Sequence, residues 1–436
     1  MKKSLSPISV LAMILLLVSL NTRAQTTEDE WDMGDWSEEE EASPLFAGFV
    51  DISVGNRFTS DPAIDGAKTL RDIRLQVQWE KLLSESSLTV TSDLYYDGVL
   101  DQVKLNVREF AWQGRLDSIA QWGKNFDLKL GQQVLTWGTG DYLFLNDLFP
   151  KDYQSFFAGR NDDYLKAPSL SAKLSGFFDW GNMDFVITPE FAADNYINGD
   201  YFSFFSASFG TNIAPGFDVK SPYLPESPEY ALRYYKSIGS SEIAIYGYDG
   251  FHKSPSSLTS EGQAYFSKLN VYGASVVSPA FAGLIKAEFA YYASKDDSQG
   301  SEPLIPNDQS RYLVGYEQEV IKDLTASIQW YLEHTHDYSE LKLNSLTPEY
   351  DPNRSRIVVT QQFIYRLMQQ TLTINAFNFY STSDHDGFLK LRADYSPVDQ
   401  WQVAAGINLF YGDDNHTFYN QFEDASNLYA SFKYFY

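Results

Sequence analysis

Apolar and polar residues alternate with a period of two along most of the chain from Phe46 onward. In the first such segment one face is apolar while the other carries polar groups, which are Asp51, Ser53 and Arg57. The same alternation recurs near Ile73–Trp79, Ile285–Tyr291, Ala326–Leu332 and Leu389–Tyr395. A period of two is typical of β-strands that have one apolar and one polar face. The pattern predicts strands that begin near residues 46, 72, 87, 101, 126, 170, 183, 230, 241, 269, 283, 309, 324, 355, 371, 387, 401 and 426.

The connections between these segments alternate between short and long. The short ones lie near residues 179–182, 238–240 and 396–399. The long ones lie near residues 138–169, 194–229, 251–268, 295–308 and 335–354. Short periplasmic turns and long extracellular loops are the asymmetry of an outer-membrane barrel. We therefore predict an all-β fold: a transmembrane antiparallel β-barrel of about 18 strands with both termini periplasmic, in the outer membrane of a Gram-negative bacterium.

The last ten residues, NLYASFKYFY, place apolar side chains on one face and end in the aromatic Tyr436. This end resembles the C-terminal strand by which outer-membrane barrels are recognised by the barrel-assembly machinery. The alternative is an ordinary amphipathic last strand. The other expected partners are outer-membrane lipids and lipopolysaccharide, because the apolar faces of the strands would contact them.

The first 24 residues have the three parts of a secretory signal peptide. Lys2 and Lys3 precede the apolar run Ile8–Leu20, and Thr22-Arg23-Ala24 follows with a small residue at the cleavage position. The alternative is an uncleaved membrane helix, but the run is shorter than the roughly 20 residues that a spanning helix needs. We predict removal of residues 1–24.

Residues 25–44 form an acidic leader with no apolar periodicity, and residues 45–436 form the predicted barrel. The leader contains too little apolar surface to fold alone, so it is predicted to be a disordered periplasmic tail. The alternatives are a docking segment for a basic periplasmic partner, and a flexible gate at the pore mouth.

Composition narrows the class of protein further. Aromatic residues make up 16% of the chain, which suits rings that face lipid, and there is no cysteine, which excludes disulfides and cysteine-ligated metals. The net charge of −25 argues against a nucleic-acid partner, because phosphates are bound by basic patches.

A barrel of this size is wide enough to leave an aqueous channel. The polar faces of the predicted strands would line that channel. Their basic residues outnumber the acidic ones Asp51, Glu288, Glu333 and Asp394, which favours anions in the pore. The alternative is that these charges pair across strands and stiffen the wall. The predicted pore-lining basic residues are Arg57, Arg74, Lys104, Arg108, Arg233, Lys286, Lys390, Arg392 and Lys433.

The segment Gly131–Ser169 is unusually rich in rings for a solvated loop. These apolar side chains need packing partners, and a constriction loop, residues 138–169, that folds into the lumen would bury them. They are Phe144, Leu148, Phe149, Tyr153, Phe156 and Phe157. A lid outside the barrel mouth is the alternative. An inward loop would line the remaining lumen with Trp137 and with the polar residues Asp141, Asn146, Asp147, Lys151, Arg160 and Lys166.

Within this segment Gly131–Gly138 has the form G-x-Q-x-x-x-W-G and is followed by an Asp and then by Asn-Asp and Pro. The motif resembles one in porin-like outer-membrane families, namely the alginate-export type and an uncharacterised family encoded beside RND-type exporters. The resemblance implies an 18-stranded barrel with an inward loop, and in the alginate type a basic lumen passes an acidic polymer. We predict a channel for small solutes or a polymer. The alternative is an outer-membrane component of lipid or polysaccharide export with an inner-membrane RND-type partner.

Other classes find less support in the sequence. The five histidines, His252, His334, His336, His385 and His416, form no catalytic motif, so no enzyme activity and no cofactor is predicted. His334 and His336 could bind a metal, and the acidic loops could bind calcium. Solvent exposure at strand ends and in loops explains these polar residues better, so no metal site is predicted. A receptor with an internal plug domain needs a longer leader than residues 25–44 provide.

Overall fold

The computed structural model describes residues 46–117, 121–214 and 222–436. Within them, eighteen strands form one antiparallel sheet. We label all strands in chain order. Those of the large sheet are β1 (Ala47–Arg57), β2 (Lys68–Leu82), β3 (Ser86–Asp97), β4 (Gln102–Arg115), β5 (Phe126–Val134), β6 (Pro168–Phe178), β7 (Gly181–Thr188), β10 (Glu229–Ile238), β11 (Ser241–Phe251), β14 (Lys268–Ala280), β15 (Gly283–Ser294), β16 (Gln309–Ile321), β17 (Leu324–Thr335), β18 (Ser355–Leu367), β19 (Leu372–Ser381), β20 (Asp386–Val398), β21 (Trp401–Gly412) and β22 (Asn427–Phe435).

Two small hairpins lie within long loops, and two short helices complete the labelled elements. The hairpins are β8 (Phe204–Ser206) with β9 (Thr211–Ile213), and β12 (Ser257–Leu258) with β13 (Ala264–Tyr265). The helices are α1 (Tyr153–Ala158) and α2 (Tyr338–Asn344). Neither these helices nor any other in the described ranges is long and apolar enough to cross a membrane.

The large sheet is closed into a barrel. Each strand pairs with its neighbours in chain order, and β22 pairs with β1 in a register that sets Phe49 opposite Phe435 and Arg57 opposite Asn427. Closure leaves every strand of the barrel with a partner on both sides, which satisfies the backbone groups without water. The predicted all-β barrel of about 18 strands is confirmed, and the largest error in a predicted strand start is at β2, near 72 instead of Lys68.

The two rims of the barrel differ in the length of their connections. The short-turn rim has turns at 83–85, 179–180, 239–240, 281–282, 322–323, 368–371 and 399–400, together with one longer connection, 116–125. The opposite end, the long-loop rim, carries the connections 58–67, 98–101, 135–167, 189–228, 252–267, 295–308, 336–354, 382–385 and 413–426. The predicted alternation therefore describes most of the barrel. The described chain begins and ends at the short-turn rim, and the predicted signal peptide and leader lie outside the described residues.

The outward face of the strands is apolar. Ile52 and Val54 alternate with the buried Ser53 and Gly55, and both are more than two-fifths exposed. Rings collect on this face near the short-turn rim, where Trp180 stacks between Phe178 and Tyr234 at ring separations of 4.9 and 5.8 Å. An apolar band edged by rings is the surface that a barrel presents to a membrane and its interface.

A β-bulge in β4 changes which residues face the lumen. The pairing with β3 shifts between Thr91 and Ser92, where Thr91 faces Glu109 and Ser92 faces Val107. One extra residue reverses the alternation of inward and outward side chains. The exposed Leu105 and Phe110 therefore both face outward, although one residue number is odd and the other is even. The extra residue is Arg108, whose guanidinium reaches the interior of the barrel.

Candidate functional site

The connection between β5 and β6, residues 135–167, packs inside the barrel, and we call it the inward segment. The ring of Phe157 lies 5.4 Å from Phe388 of β20 and 4.9 Å from Phe410 of β21. On another part of the wall, the Trp137 ring lies 6.1 Å from that of Tyr246 in β11. These wall rings are buried residues of inward-facing positions, so the segment spans the interior from β11 to β21.

The apolar side chains that the sequence predicts to be buried in this segment all belong to one cluster with side chains of the barrel wall. Phe149, Phe156 and Phe157 are each 5% exposed, while Phe144, Leu148 and Tyr153 are partly buried against the same cluster. The segment begins and ends slightly earlier than the predicted 138–169, because β5 ends at Val134 and β6 already begins at Pro168.

Helix α1 presents the two central rings of the inward segment. Asp152 caps the helix by accepting hydrogen bonds from the backbone N–H of Ser155 at 2.7 Å and from its hydroxyl at 2.7 Å. The helix ends at Gly159, whose φ of +88° favours glycine. A Cβ at Gly159 would lie 2.3 Å from the ring of Tyr429 in β22, so the close approach to the wall also requires glycine.

Glu288 of β15 is the acceptor for four groups of the inward segment. Its carboxylate accepts hydrogen bonds from the Thr139 N–H, the Thr139 hydroxyl (2.8 Å), the Gly140 N–H (2.8 Å) and the Asn146 amide (2.8 Å). Gly138, at φ +83°, turns the chain so that the two consecutive N–H groups point to one carboxylate. Within the described ranges no basic side chain lies within 4.0 Å of Glu288, so the segment itself satisfies this buried charge.

A buried ion pair fixes the inward segment to β2. The Arg160 guanidinium donates to both carboxylate oxygens of Asp72, at 2.7 and 3.2 Å. Asp72 also lies 3.4 Å from Arg74, which itself pairs with Asp93 of β3 at 2.9 Å. A two-pronged guanidinium–carboxylate pair fixes orientation as well as distance, so it sets how this part of the segment meets the wall.

Further bonds tie the segment to β15, β20, β21 and β22. Asp141 accepts from Lys286 of β15 at 3.1 Å, and Asp162 pairs with Lys390 of β20. The backbone carbonyl of Phe157 accepts from the Asn408 amide of β21 at 2.9 Å and from the Asn427 amide of β22 at 3.1 Å. The wall contacts therefore come from strands spread around the barrel.

The polar residues predicted to line the remaining lumen serve mainly as these attachments. Asp141, Asn146 and Arg160 bond to the wall as described. Asp147 and Lys151 pair with each other at 2.9 Å, and both are buried. Lys166 donates to the Thr136 hydroxyl at 2.5 Å, and burial lowers its pKa. Hydrogen bonds to the wall and within the segment thus occupy these groups.

Most of the predicted pore-lining basic residues pair with carboxylates of the wall or of adjacent loops. Lys104 lies 2.9 Å from Asp97, and Arg233 lies 2.8 Å from Glu242. Arg392 lies 2.8 Å from Asp394, and Arg57 lies 3.6 Å from Asp61. Arg74, Lys286 and Lys390 form the ion pairs described above. Lys104–Asp97 and Arg233–Glu242 are the cross-strand pairing that the sequence left open as the alternative, whereas Arg392 pairs within its own strand and Lys390 pairs with the inward segment.

Arg108 and Lys433 differ from the other basic residues. Across the parts of the chain that the structure describes, neither lies within 4.0 Å of a carboxylate. Arg108 donates to the Asp163 carbonyl at 2.8 Å, and Lys433 lies 4.3 Å from the centre of the Phe49 ring. Both line a cavity of about 180 Å³ on the short-turn side of the inward segment, with Asp163 as its carboxylate.

Arg108 ends a stack of alternating rings and guanidinium groups. The Arg74 Cζ atom lies 4.1 Å from the centre of the Tyr95 ring and 4.4 Å from that of Tyr164, and the Arg108 Cζ atom lies 4.5 Å from the same Tyr164 ring. Cation–π contacts of this kind hold each guanidinium plane in a fixed direction.

A second cavity of about 180 Å³ lies on the long-loop side of the inward segment. Its lining includes Phe149, Lys151, Tyr153, His252 and Arg311, and it shares no lining residue with the first. Burial and the nearby Arg311 lower the pKa of His252 to about 4, so this imidazole is neutral at physiological pH.

Sequence reasoning named Glu288 only as one inward acid and did not find its role as an anchor. It also missed the wall rings Phe377, Phe388 and Phe410. The sequence contained a clue to these rings. Phe388, Lys390 and Arg392 occupy alternate positions of one strand, so a strand with Lys390 and Arg392 inward also places Phe388 inward. Large rings on the polar face of a strand indicate that something inside the barrel covers them.

The two histidines considered for a metal bond to hydroxyls instead. His334 Nδ1 lies 2.8 Å from the Ser355 hydroxyl oxygen, and His336 Nε2 lies 2.8 Å from that of Ser310. Among the described residues no three His, Asp or Glu side chains are arranged to hold a metal ion.

Comparison with known proteins places the fold. No family model matches the sequence, and no curated protein matches it. Solved structures do match: OccAB3 of Acinetobacter baumannii has a TM-score of 0.54 at 10% identity, covering 90% of this chain and 98% of the other. OccK2 (OpdF) of Pseudomonas aeruginosa, solved in complex with glucuronate, has a TM-score of 0.54 at 10% identity, covering 90% and 97%.

A further match, OccK5 (OpdH) of P. aeruginosa, has a TM-score of 0.52 at 8% identity and covers 89% of this chain and 97% of the other. The fold is that of a porin-like outer-membrane β-barrel. At these identities the likeness concerns the fold, and the resemblance to alginate-export or RND-associated families stays a prediction.

Proposed function

We propose that this chain is an outer-membrane channel in which the inward segment sets the narrowest part of the path and the short-turn side favours small anions. The observation that carries the proposal is the attachment of residues 135–167 to the inner wall from β2 to β22. A segment held at so many points is a fixed constriction rather than a loose loop.

The outer surface supports the membrane part of the proposal. Its apolar outward positions and the ring stack at Trp180 suit lipid and its interface. Long loops at one rim and short turns at the other match the orientation in which the long loops are extracellular and both termini periplasmic.

The anion preference rests on the charges that are left unpaired. Because most inward cations already face a carboxylate, the field in the lumen is set by the few that do not. Arg108 and Lys433 are such cations; they share one cavity with Asp163, and Asp51 of β1 lies opposite Lys433 in the strand pairing but not within 4.0 Å of its ammonium group. OccK2, a protein of the same fold, was solved with the anionic sugar glucuronate, which is compatible with this assignment but belongs to that protein.

Reversal potentials in planar bilayers test the proposal. With a salt gradient across the wild-type channel, we expect a permeability ratio that favours chloride over potassium. The double variant Arg108→Gln with Lys433→Gln should bring that ratio close to one, because it removes both unpaired cations. Lys322→Gln at a short turn on the short-turn rim is the matched control and should leave the ratio unchanged. A cation-selective wild type would contradict the anion preference, and a protein without conductance would contradict the channel.

A further inference from the structure

A separate cavity of about 490 Å³ opens at the long-loop rim. Its walls come from the inner faces of β16, β17 and β18 and from the loops 336–354, 382–385 and 413–426. Ligand sites in proteins commonly have volumes of about 300–1,000 Å³ and occur at the mouths of barrels. We call it the rim cavity; its position is where a solute would arrive before it meets the inward segment.

Most charged side chains of the rim cavity form ion pairs, two of them with Arg311 and Lys342 just outside its lining, whereas Asp414 has no ion-pair partner among the described residues. Arg356 Nε lies 3.0 Å from Asp384, and Glu333 lies 3.2 Å from Arg311 Nε. Asp351 lies 2.8 Å from Lys342. The paired charges of this lining offer little to a solute with a strong net charge, and Asp414 is the one acid left to attract a cation. A solute whose hydroxyl groups both donate and accept can bond to these carboxylates and guanidinium groups without breaking the pairs.

One donor of the rim cavity has no acceptor. Among the described residues, the buried Nη2 of Arg356 has no hydrogen-bond partner, although its Nε bonds to Asp384. An unpartnered buried donor is costly, and a small shift of the Arg356 side chain towards a ligand that brings an acceptor would relieve that cost. A guanidinium beside a carboxylate offers donors and an acceptor to two neighbouring hydroxyls.

Aromatic rings supply apolar surface in the same cavity. Phe418 is 47% exposed, and the Arg356 Cζ atom lies 4.6 Å from the centre of its ring. The Tyr350 and His416 rings lie 5.6 Å apart, and Phe205 packs against both, at 5.0 and 6.1 Å. The contact with Phe205 holds these rings in place, which lowers the cost of ordering them around a ligand.

From these observations we propose that the rim cavity binds a neutral saccharide of one or two rings. Such a molecule combines apolar C–H faces, which suit Phe418 and Tyr350, with neighbouring hydroxyls, which suit the Arg356–Asp384 pair. The saccharide is a free solute, because the walls supplied by Glu333 and Arg356 face the interior of the barrel rather than the lipid. The site is independent of the anion preference proposed above.

Saturation-transfer NMR on the folded barrel in detergent, with maltose and glucose as probes, tests the site directly. We expect transfer to maltose that is lost or weakened about ten-fold in Phe418→Ala and in Asp384→Asn, since each removes one well-placed contact. Phe281→Ala is the matched control, because this exposed phenylalanine lies in the turn 281–282 at the opposite rim and outside the rim cavity. Unchanged heat-modifiable mobility on gels shows that each variant is folded.

Two outcomes overturn the inference. The first is a wild type that gives no transfer to either sugar, or a Phe281→Ala control that loses transfer as much as Phe418→Ala does. The second is stronger binding of glucuronate or glucosamine than of the neutral sugars, which would show that net charge governs the site. Because NMR binding does not require conduction, these outcomes are separate from those of the reversal-potential experiment.

Discussion

The inward segment and the loop 336–354 leave the same rim of the barrel, and each contains one short helix. In α1 of the inward segment, all residues from Gln154 to Ala158 are buried, whereas α2 of the other loop has no buried residue. Leu343 in α2 is 78% exposed, while Phe156 and Phe157 in α1 are each 5% exposed. Both loops are long, so length does not decide which one enters the barrel.

What separates the two loops is the match between their side chains and the wall. The inward segment carries rings that meet inward-facing rings of β19–β21, and it carries charges whose partners stand on the wall. The loop 336–354 makes its ion pair internally, between Lys342 and Asp351. A loop enters a barrel when the wall offers apolar surface and opposite charge that offset the cost of ordering it.

The largest expected effect comes from removing one loop or the other. Replacing residues 139–164 by a short Gly-Ser linker should raise single-channel conductance about three-fold or more, because the segment that fills the interior is gone. Shortening the other loop by removing residues 338–351 should change conductance little. Equal effects of the two deletions would contradict the distinction between an inner and an outer loop.

Ion pairs in the two loops should differ in their contribution to stability. Arg160→Met leaves Asp72 buried without its main partner and should lower the free energy of unfolding by about 3–5 kcal/mol. Lys342→Met breaks the solvent-exposed pair with Asp351 and should change the free energy of unfolding little, because water screens exposed ion pairs. Urea unfolding in the presence of phospholipid vesicles measures both. Similar losses for the two variants would show that Arg160 is not effectively buried.

The Glu288 anchor should give a smaller but specific effect. Glu288→Gln keeps the shape of the side chain but replaces the carboxylate with a neutral amide, whose own N–H would face the donors of Thr139, Gly140 and Asn146. We expect the free energy of unfolding to fall by about 2 kcal/mol. The inward segment should also become accessible to protease, and current noise should increase. Glu340→Gln in α2 is the matched control. A fully protected segment in Glu288→Gln would mean that the other attachments suffice.

The effect that is smallest at neutral pH is a dependence of stability on pH, because it develops only below about pH 6.5. The pKa of His252 is lowered to about 4 from an unfolded value of about 6.5, so the folded state favours the neutral imidazole. The unfolded chain binds this proton more readily, and the contribution of His252 to stability is therefore lost as pH falls from 6.5 towards 4. The thermal midpoint should fall over this range, and by less in His252→Gln. A parallel course for both proteins would contradict this.

Much of the fold followed from alternation alone, because a closed barrel repeats one simple pattern. Ile52 and Val54 on one face, with Ser53 and Arg57 on the other, fix the orientation of β1 without any tertiary information. The bulge at Arg108 shows the limit, since an extra residue reverses parity and leaves no mark in the local pattern. The site was harder to predict, because Arg160 and Asp72 are far apart in sequence and their pairing depends on how the segment enters the barrel.

The closing pairing of β22 with β1 has a consequence for the order of assembly. The inward segment lies in the first half of the chain, but Lys390, Asn408 and Asn427, to which it bonds, belong to the last three strands. Docking of the segment therefore waits until almost the whole polypeptide has been delivered, and contacts this distant in sequence form slowly. In an incomplete barrel the rings of Phe156 and Phe157 would be exposed. We therefore expect this segment to need protection from aggregation until the last strand has paired.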